Sequence, residues 1–285
     1  LQLAYYPGCC WETSAREYDR STRRVGKHLG IDLIDIPDWT CCGSSAGHST
    51  SHLLATSLAA RNLALAEEMG LDVVASCASC YQRLALARHE LVTNEQLREQ
   101  VNQITGRPFH GRIQVKSILE VIAALETAEI SERVTKPLQG LKVAAYYGCL
   151  LVRPRPVQVD DPEDPQLIEK IMLAAGAETV DWSHKTECCG ASLAMSNDQL
   201  ALPMVASILR AAELSGANCI VCACPLCHFN LDRRQSQVNR SRGTDYHLPV
   251  FYFTQLLGVA MGLDPRALGV FDHFVDTSGI LSLVS

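Results

Sequence analysis

Val143-Ala144-Ala145-Tyr146-Tyr147-Gly148-Cys149 is a run of β-forming residues that stops at a glycine and a cysteine, and Leu3-Ala4-Tyr5-Tyr6-Pro7-Gly8-Cys9 is nearly the same run 140 residues earlier. Working outward, Cys41-Cys42-Gly43 is answered by Cys188-Cys189-Gly190, and Cys77-Ala78-Ser79-Cys80 by Cys224-Pro225-Leu226-Cys227, both at an offset of 147. The seven-residue difference between the two offsets places an insertion between Cys149 and Cys188, in the proline- and acid-rich stretch Pro154 to Pro165. Ile31-Asp32-Leu33-Ile34-Asp35 likewise mirrors Ala177-Glu178-Thr179-Val180-Asp181. A whole module is duplicated.

Each copy reads as strand, cysteine, helix, strand, double cysteine, helix, strand, CxxC, helix. The strands are expected at Leu1–Tyr6, Asp32–Ile36, Val73–Ser76, Lys142–Tyr147, Thr179–Trp182 and Cys219–Val221. Apolar residues at three-to-four spacing, as in Leu54, Leu58, Leu63, Leu65 and Met69, predict helices between them. Alternation of strand and helix implies parallel sheets with crossover helices, whose ligands bind beyond the carboxyl ends of the strands. The expected fold is therefore α/β: two duplicated Rossmann-like cysteine-rich lobes related by a pseudo-twofold axis. The expected divisions are a first module at 1–93, a connector packed on it at 94–141, and a second module at 142–285. Within the connector, helices are expected at Asn94–Thr105 and from about Ser117 to Ala128.

Composition narrows the chemistry. The 285 residues are 47% apolar, enough for a large core, and the formal charge of −6 comes from interspersed acids and bases. Nucleic acid is not an expected partner, because its footprint is a basic patch. The chain opens directly on the strand-like run Leu1–Tyr6, without a leader-like segment, so a cytoplasmic protein is expected, with a peripheral place at the inner membrane face as the alternative. Thirteen cysteines, an odd number, then point to metal or redox chemistry in preference to disulfides. Leu214–Leu231 and Tyr246–Leu263 each lack charged residues for eighteen positions, but prolines, glycines and cysteines make them buried core segments, not transmembrane spans. No G-x-G-x-x-G follows a strand, so electrons are expected to arrive from another protein.

A CxxC puts two thiolates on one side of a tight turn, which suits zinc or an iron–sulfur cluster. Five cysteines per copy exceed the four that a closed zinc site or a standard cube uses. Gly43 and Gly190 allow the sharp turn that lets adjacent cysteines both reach one group. Either one cysteine per copy is a spare, or the cluster is enlarged and open.

The pattern of a cysteine, thirty to forty residues, Cys-Cys-Gly and a CxxC thirty-four residues past the double cysteine resembles the B-type subunits of heterodisulfide reductase over nearly the whole chain. Tyr-Tyr-Gly-Cys at 146–149, Asp-Pro-Glu-Asp-Pro at 161–165, Cys-Pro-Leu-Cys-His at 224–228 and Leu-Pro-Val at 248–250 carry the same resemblance. It implies two noncubane [4Fe–4S] clusters, one on Cys9, Cys41, Cys42, Cys77 and Cys80 and the other on Cys149, Cys188, Cys189, Cys224 and Cys227. It also implies cleavage of a disulfide or related organosulfur substrate between them, in a complex with flavin-containing and ferredoxin-like electron-wire subunits. Leu150 stands where the methanogen enzymes would have His, so the site resembles the bacterial branch. An asymmetric reactive position is expected between the two cluster-bearing edges, because Cys10 and Trp11 in the first copy face Leu150 and Leu151 in the second.

Candidate catalytic residues are Leu150 and Arg153 beside Cys149, with His48 and His228 as proton donors. Each competes with a plain structural reading, as do Arg155 in a solvated loop and His52 at a helix start. Cys10, Cys219 and Cys222 lie outside the repeat and read as core residues, as do Met69, Met172 and Met195. Two further functions compete. One is a quinone-facing electron-transfer subunit of a succinate or fumarate oxidoreductase, its apolar run Leu248–Leu263 lying on a membrane. The other is a zinc-stabilised assembly scaffold.

Overall fold

The computed structural model describes residues 1–11, 13–194 and 196–284; Met195, expected in the core, lies outside them. In the first lobe β1 (Gln2–Tyr6), β2 (Asp32–Asp35), β3 (Val73–Ala75) and β4 (Val115–Ser117) form a parallel sheet in the order β2-β1-β3-β4. In the second, β5 (Lys142–Tyr146), β6 (Glu178–Thr179), β7 (Cys219–Cys222) and β8 (Val250–Tyr252) repeat it as β6-β5-β7-β8. Leu3–Tyr6, Val73–Ala75, Val143–Tyr146 and Cys219–Cys222 are buried on both faces, which is why these strands are continuous apolar runs without alternation. Cys219 and Cys222 are thereby core residues.

Three strands depart from the sequence expectation: the one expected at Thr179–Trp182 is only Glu178–Thr179, and two more were not expected. The segment 94–141 supplies β4 to the first sheet, and Leu248–Leu263 turns into β8 followed by a helix. Both strands are three residues long, one containing Lys116 and the other following Pro249, so neither shows a periodic signal. The single helix expected at 117–128 is two, α6 (Ile118–Ala123) and α7 (Thr127–Ser131). The Ser117 hydroxyl accepts from Leu119 N–H at 3.3 Å and Glu120 reaches back to Ser117 N–H, capping α6.

The lobes meet through exchanged pairs of helices. In the first, α1 (Arg16–His28) leads from Cys9 toward β2; its counterpart in the second is α8 (Leu167–Ala174). Helix α1 packs on α12 (Phe253–Ala260), which follows β8, and α8 packs on α6, which follows β4. This exchange is what a pseudo-twofold axis produces. On the first seam Tyr18 and Tyr252 stack with ring centroids 4.0 Å apart and planes 3° apart, and the hydroxyls of Ser21 and Thr254 lie 2.7 Å apart. On the second, Lys170 Nζ donates to the carbonyls of Ala123 and Leu125. Every residue of α12 is buried, so the apolar run takes its place in this seam and offers no membrane face.

Candidate iron–sulfur site

All three cysteine groups of each lobe lie past the carboxyl ends of its strands. The order β2-β1-β3 puts the topological switch between β1 and β3, where the loops carrying Cys9 and Cys77 diverge. Gly8 precedes Cys9 at φ +79°, and a Cβ there would stand 3.0 Å from Cys80 Sγ; Gly148, at φ +64°, has the same 3.0 Å relation to Cys227 Sγ. Only glycine lets the strand end approach the CxxC this closely. Tyr6 and Tyr146, at the ends of β1 and β5, donate their hydroxyls to the carbonyls of Thr40 at 2.7 Å and Glu187 at 2.6 Å. Those two residues immediately precede the double cysteines, so each tyrosine ties its strand to the next cysteine group.

The sulfurs converge. Cys42 and Cys80 Sγ are 3.6 Å apart, and Cys189 and Cys227 Sγ are 3.7 Å apart. Cys77 and Cys224 immediately precede helices α4 (Ala78–Thr93) and α10 (Pro225–Arg233), which point their second cysteines inward. Hydrogen bonds from Cys41 and Cys80 hold the Cys42 thiol down to about 3 despite its burial. The Cys10 thiol does the same for Cys9, to about 6, and the Cys149 thiol for Cys188, also to about 6. Cys80 and Cys227 are pushed up, first by their close sulfur contacts with Cys42 and Cys189. Cys224 is held far below the ordinary thiol value by Cys227 and by Cys77, and Cys77 belongs to the other lobe. The two five-cysteine groups therefore lie near each other across the lobe seam, where Ala78, the residue after Cys77, lines the cavity of the second set.

In the second lobe all five cysteines line one cavity of about 60 Å³, closed by Ala78 from the first lobe and by Leu150, Ala191 and Ser192. Among the described residues, none that lines it carries a carboxylate or an imidazole. Five soft donors without a hard one fit an iron–sulfur group better than a four-ligand closed zinc site.

Of the other candidate residues, Leu150 reaches this cavity. Arg153 turns away: its guanidinium pairs with Glu163 at 3.0 Å, while its carbonyl accepts from Gln82 Nε2 at 2.8 Å. With Tyr81 Oη donating to Val157 O at 2.9 Å, these contacts dock the extra loop of the second lobe on α4 of the first. His48 is exposed, in a small cavity with His52 and Arg83. His228 follows Cys227 but faces elsewhere, stacked on Tyr252 at 4.2 Å with Nε2 bonded to Val250 O at 2.9 Å, and burial holds it neutral. Cys10 is half-buried beside Cys9, and Met69 and Met172 pack in the core. The sequence reading missed Arg83 and its counterpart Asn230, which become visible only when the repeats are aligned beyond their cysteines.

A second cavity, of about 420 Å³, opens between the lobes against Thr13, Ser14, Glu17, His228, Asp232 and Phe274. His228, Asp232 and His273 bring ligand atoms within 4.8 Å of one another. Each is already committed. Asp232 accepts from Phe274 N and Val275 N, and Tyr252 N fixes the Gln255 amide so that its NH2 donates to His273 Nε2 at 2.9 Å. The trio closes the C-terminal segment onto α10. Glu17 is pushed from 4.5 to about 7, chiefly by burial, with Asp272 and Asp232 adding to the shift and Arg20 opposing it. Asp232 is itself raised by burial, to about 6. Between pH 5 and 7 the folded chain thus holds protons that the unfolded chain has released, and stability falls as pH rises. Glu17→Gln is expected to flatten that fall and to stabilise the protein at pH 8 relative to pH 5. Thermal midpoints across this range test it, and an unchanged slope refutes it.

A family model for the CCG cysteine-rich domain matches residues 3–85 and again 143–232. The chain is 34% identical to the B subunit of the ferredoxin:CoB-CoM heterodisulfide reductase of Methanosarcina mazei, over 99% of this chain and 97% of that one. The chain belongs to the family of heterodisulfide reductase B subunits. It is equally near, at 33% over 97% of its length and 98% of the relative's, to the 8-methylmenaquinol:fumarate reductase membrane anchor subunit of Wolinella succinogenes. A heterodisulfide reductase B-subunit-like protein of Archaeoglobus profundus is 30% identical over 93% of the chain and 92% of its own length. In fold, this member of the heterodisulfide reductase family superposes on the crystal structure of a hypothetical protein from Helicobacter pylori. The TM-score is 0.78 at 16% identity, covering 97% of this chain and 52% of that one.

Proposed function

We propose that this chain is the iron–sulfur catalytic subunit of a heterodisulfide-reductase-like complex. Cys9, Cys41, Cys42, Cys77 and Cys80 hold one noncubane [4Fe–4S] cluster, and Cys149, Cys188, Cys189, Cys224 and Cys227 hold the other. The observation that carries the reading is the arrangement of Cys149, Cys188, Cys189, Cys224 and Cys227 around one cavity, which Ala78, the neighbour of Cys77 in the first set, closes across the lobe seam.

The net reaction takes R–S–S–R′, two electrons and two protons to two thiols, or runs in reverse. When bound, the clusters supply one-electron redox capacity beside a soft binding position for sulfur. The protein's part is to fix two such positions against each other. Tyr6 and Tyr146 hold the double-cysteine turns, Gly8 and Gly148 let the strand ends close on the CxxC sulfurs, and Leu150 with fully buried Leu151 and Val152 keeps the second position dry. The chain has no dinucleotide fingerprint, so electrons come from partners, by family resemblance a flavin-containing protein and a ferredoxin-like electron wire.

Iron and sulfide analysis of the anaerobically purified complex comes first: about four of each per lobe is expected, and zinc in their place would support the scaffold reading. Turnover of small disulfides by the loaded complex comes next, and no turnover of any disulfide refutes the assignment. The likeness to a fumarate reductase anchor protein supports a second reading, an electron-transfer role facing a quinol. Among the described residues no helix is long and apolar enough to cross a membrane. Quinol-dependent reduction of the clusters without disulfide turnover would favour this reading.

A further inference from the structure

Aligning the repeats at 147 residues pairs Arg83 with Asn230 and Thr40 with Glu187. The structure places both pairs at equivalent points. Asn230, three residues past its CxxC, is fully buried and donates Nδ2 to Cys189 O at 2.5 Å. Arg83, three residues past the other CxxC, is half-buried, and after burial the sulfur of Cys42 is the strongest electrostatic influence on it. Thr40 and Glu187 occupy the same turn, each accepting the hydroxyl of the strand-end tyrosine.

The charges at these points do not match. Arg83 Nε is buried without a hydrogen-bond partner. The nearby Glu90 is engaged by His52 Nε2 at 3.2 Å and Thr56 Oγ1 at 3.4 Å. The first site therefore has a half-buried cation, acted on by Cys42 and less by Glu90, where the second has a neutral amide. Glu187 adds a carboxylate beside Cys188, whose thiol it pushes up, where the first site has a neutral threonine. Further mismatches do not cancel this: buried Asp232, counterpart of Ala85, puts another acid in the second lobe, and Arg234, counterpart of Ala87, is paired with Asp198 at 2.6 Å. Lys185, counterpart of Asp38, is held by Glu169 at 2.8 Å and Asp164 at 2.7 Å, and Asp38 is paired with Arg61.

We propose that Arg83 and Glu187 split the two sites electrostatically, so that a cluster on Cys9, Cys41, Cys42, Cys77 and Cys80 accepts an electron at higher potential than one on the second set. The inference rests on the cluster reading above. A cation stabilises the reduced, more negative form and a carboxylate opposes it, and net local charge is one of the levers that set cluster potentials. The duplicated fold thereby has a preferred resting place for the first electron, and its two sulfur positions are chemically distinct.

The test is an EPR-monitored redox titration of the full chain with its partners, after iron and sulfide analysis. Two separate one-electron steps are expected. Cys189→Ser, which removes the second ligand set, assigns the higher step to the first lobe by leaving it in place. Arg83→Gln should shift the first-lobe reduction equilibrium about tenfold toward the oxidised form, 59 mV for a one-electron couple. Arg83→Lys should keep the wild-type value. Glu187→Gln, at an exposed side chain whose replacement spares the fold, should raise only the lower step, and by less because solvent screens it. A single common potential in a fully loaded protein, or an Arg83→Gln that moves neither step or both equally, overturns the proposal. Wild-type protein lacking iron and sulfide removes the cluster reading and this inference with it.

Discussion

Cys42→Ser is expected to remove the iron and sulfide of the first lobe and leave those of the second, so that the metal content falls by roughly half, on a four-iron cluster per lobe. Cys189→Ser should do the same to the second lobe. Cys42 and Cys189 are almost wholly buried, each within hydrogen-bonding reach of the last CxxC sulfur of its own lobe. Serine keeps the size but offers a hydroxyl that stays protonated at neutral pH, a poor ligand where thiolate is needed. The two ligand sets share no residue, so the damage stays local, while turnover that needs both positions is lost altogether. Loss of all iron with the fold intact by circular dichroism would mean a single shared site. Loss of none would mean that the double cysteines are not ligands.

The placement of Cys42 beside Cys80 was legible in the sequence; that Ala78 of the first lobe would close the cavity of the second was not. The first follows from local rules. Apolar strand runs end at cysteines, the second copy repeats the spacing, and parallel sheets gather those ends on one edge. The second depends on how two finished lobes dock, and no periodicity encodes that. The same limit explains the run Leu248–Leu263, whose apolar character suits a membrane face or a core equally until α1 is seen to cover it. His228 was misleading for a different reason. It adjoins Cys227 in sequence, but successive helix residues lie about 100° apart around the axis, so His228 meets Tyr252 and Val250 while Cys227 meets Cys189. Arg83 was readable in principle, since the alignment that pairs the cysteines also pairs it with Asn230.

Tyr18→Ala should destabilise the whole protein by about 3–5 kcal/mol, the cost of emptying a buried aromatic site. For a chain of this size that lowers the thermal midpoint by roughly 6–20 °C. Tyr18 is fully buried, lies flat against Tyr252 of the other lobe and donates its hydroxyl to Ala223 O at 3.3 Å. Ala223 directly precedes Cys224, so the same side chain that joins the lobes also steadies the start of the second CxxC. Tyr18→Phe keeps the stack and loses only the hydrogen bond, which is worth about 1 kcal/mol. A large alanine effect beside a small phenylalanine effect would show that packing across the seam dominates. Because α1 and α12 seal one side of the pseudo-twofold and α6 and α8 the other, the lobes are expected to unfold together in a single transition that the alanine variant shifts as a unit. Two resolved transitions, with only the first lobe's displaced, would show that the seam contributes little and that the closeness of the two cysteine groups must be maintained by partner proteins instead.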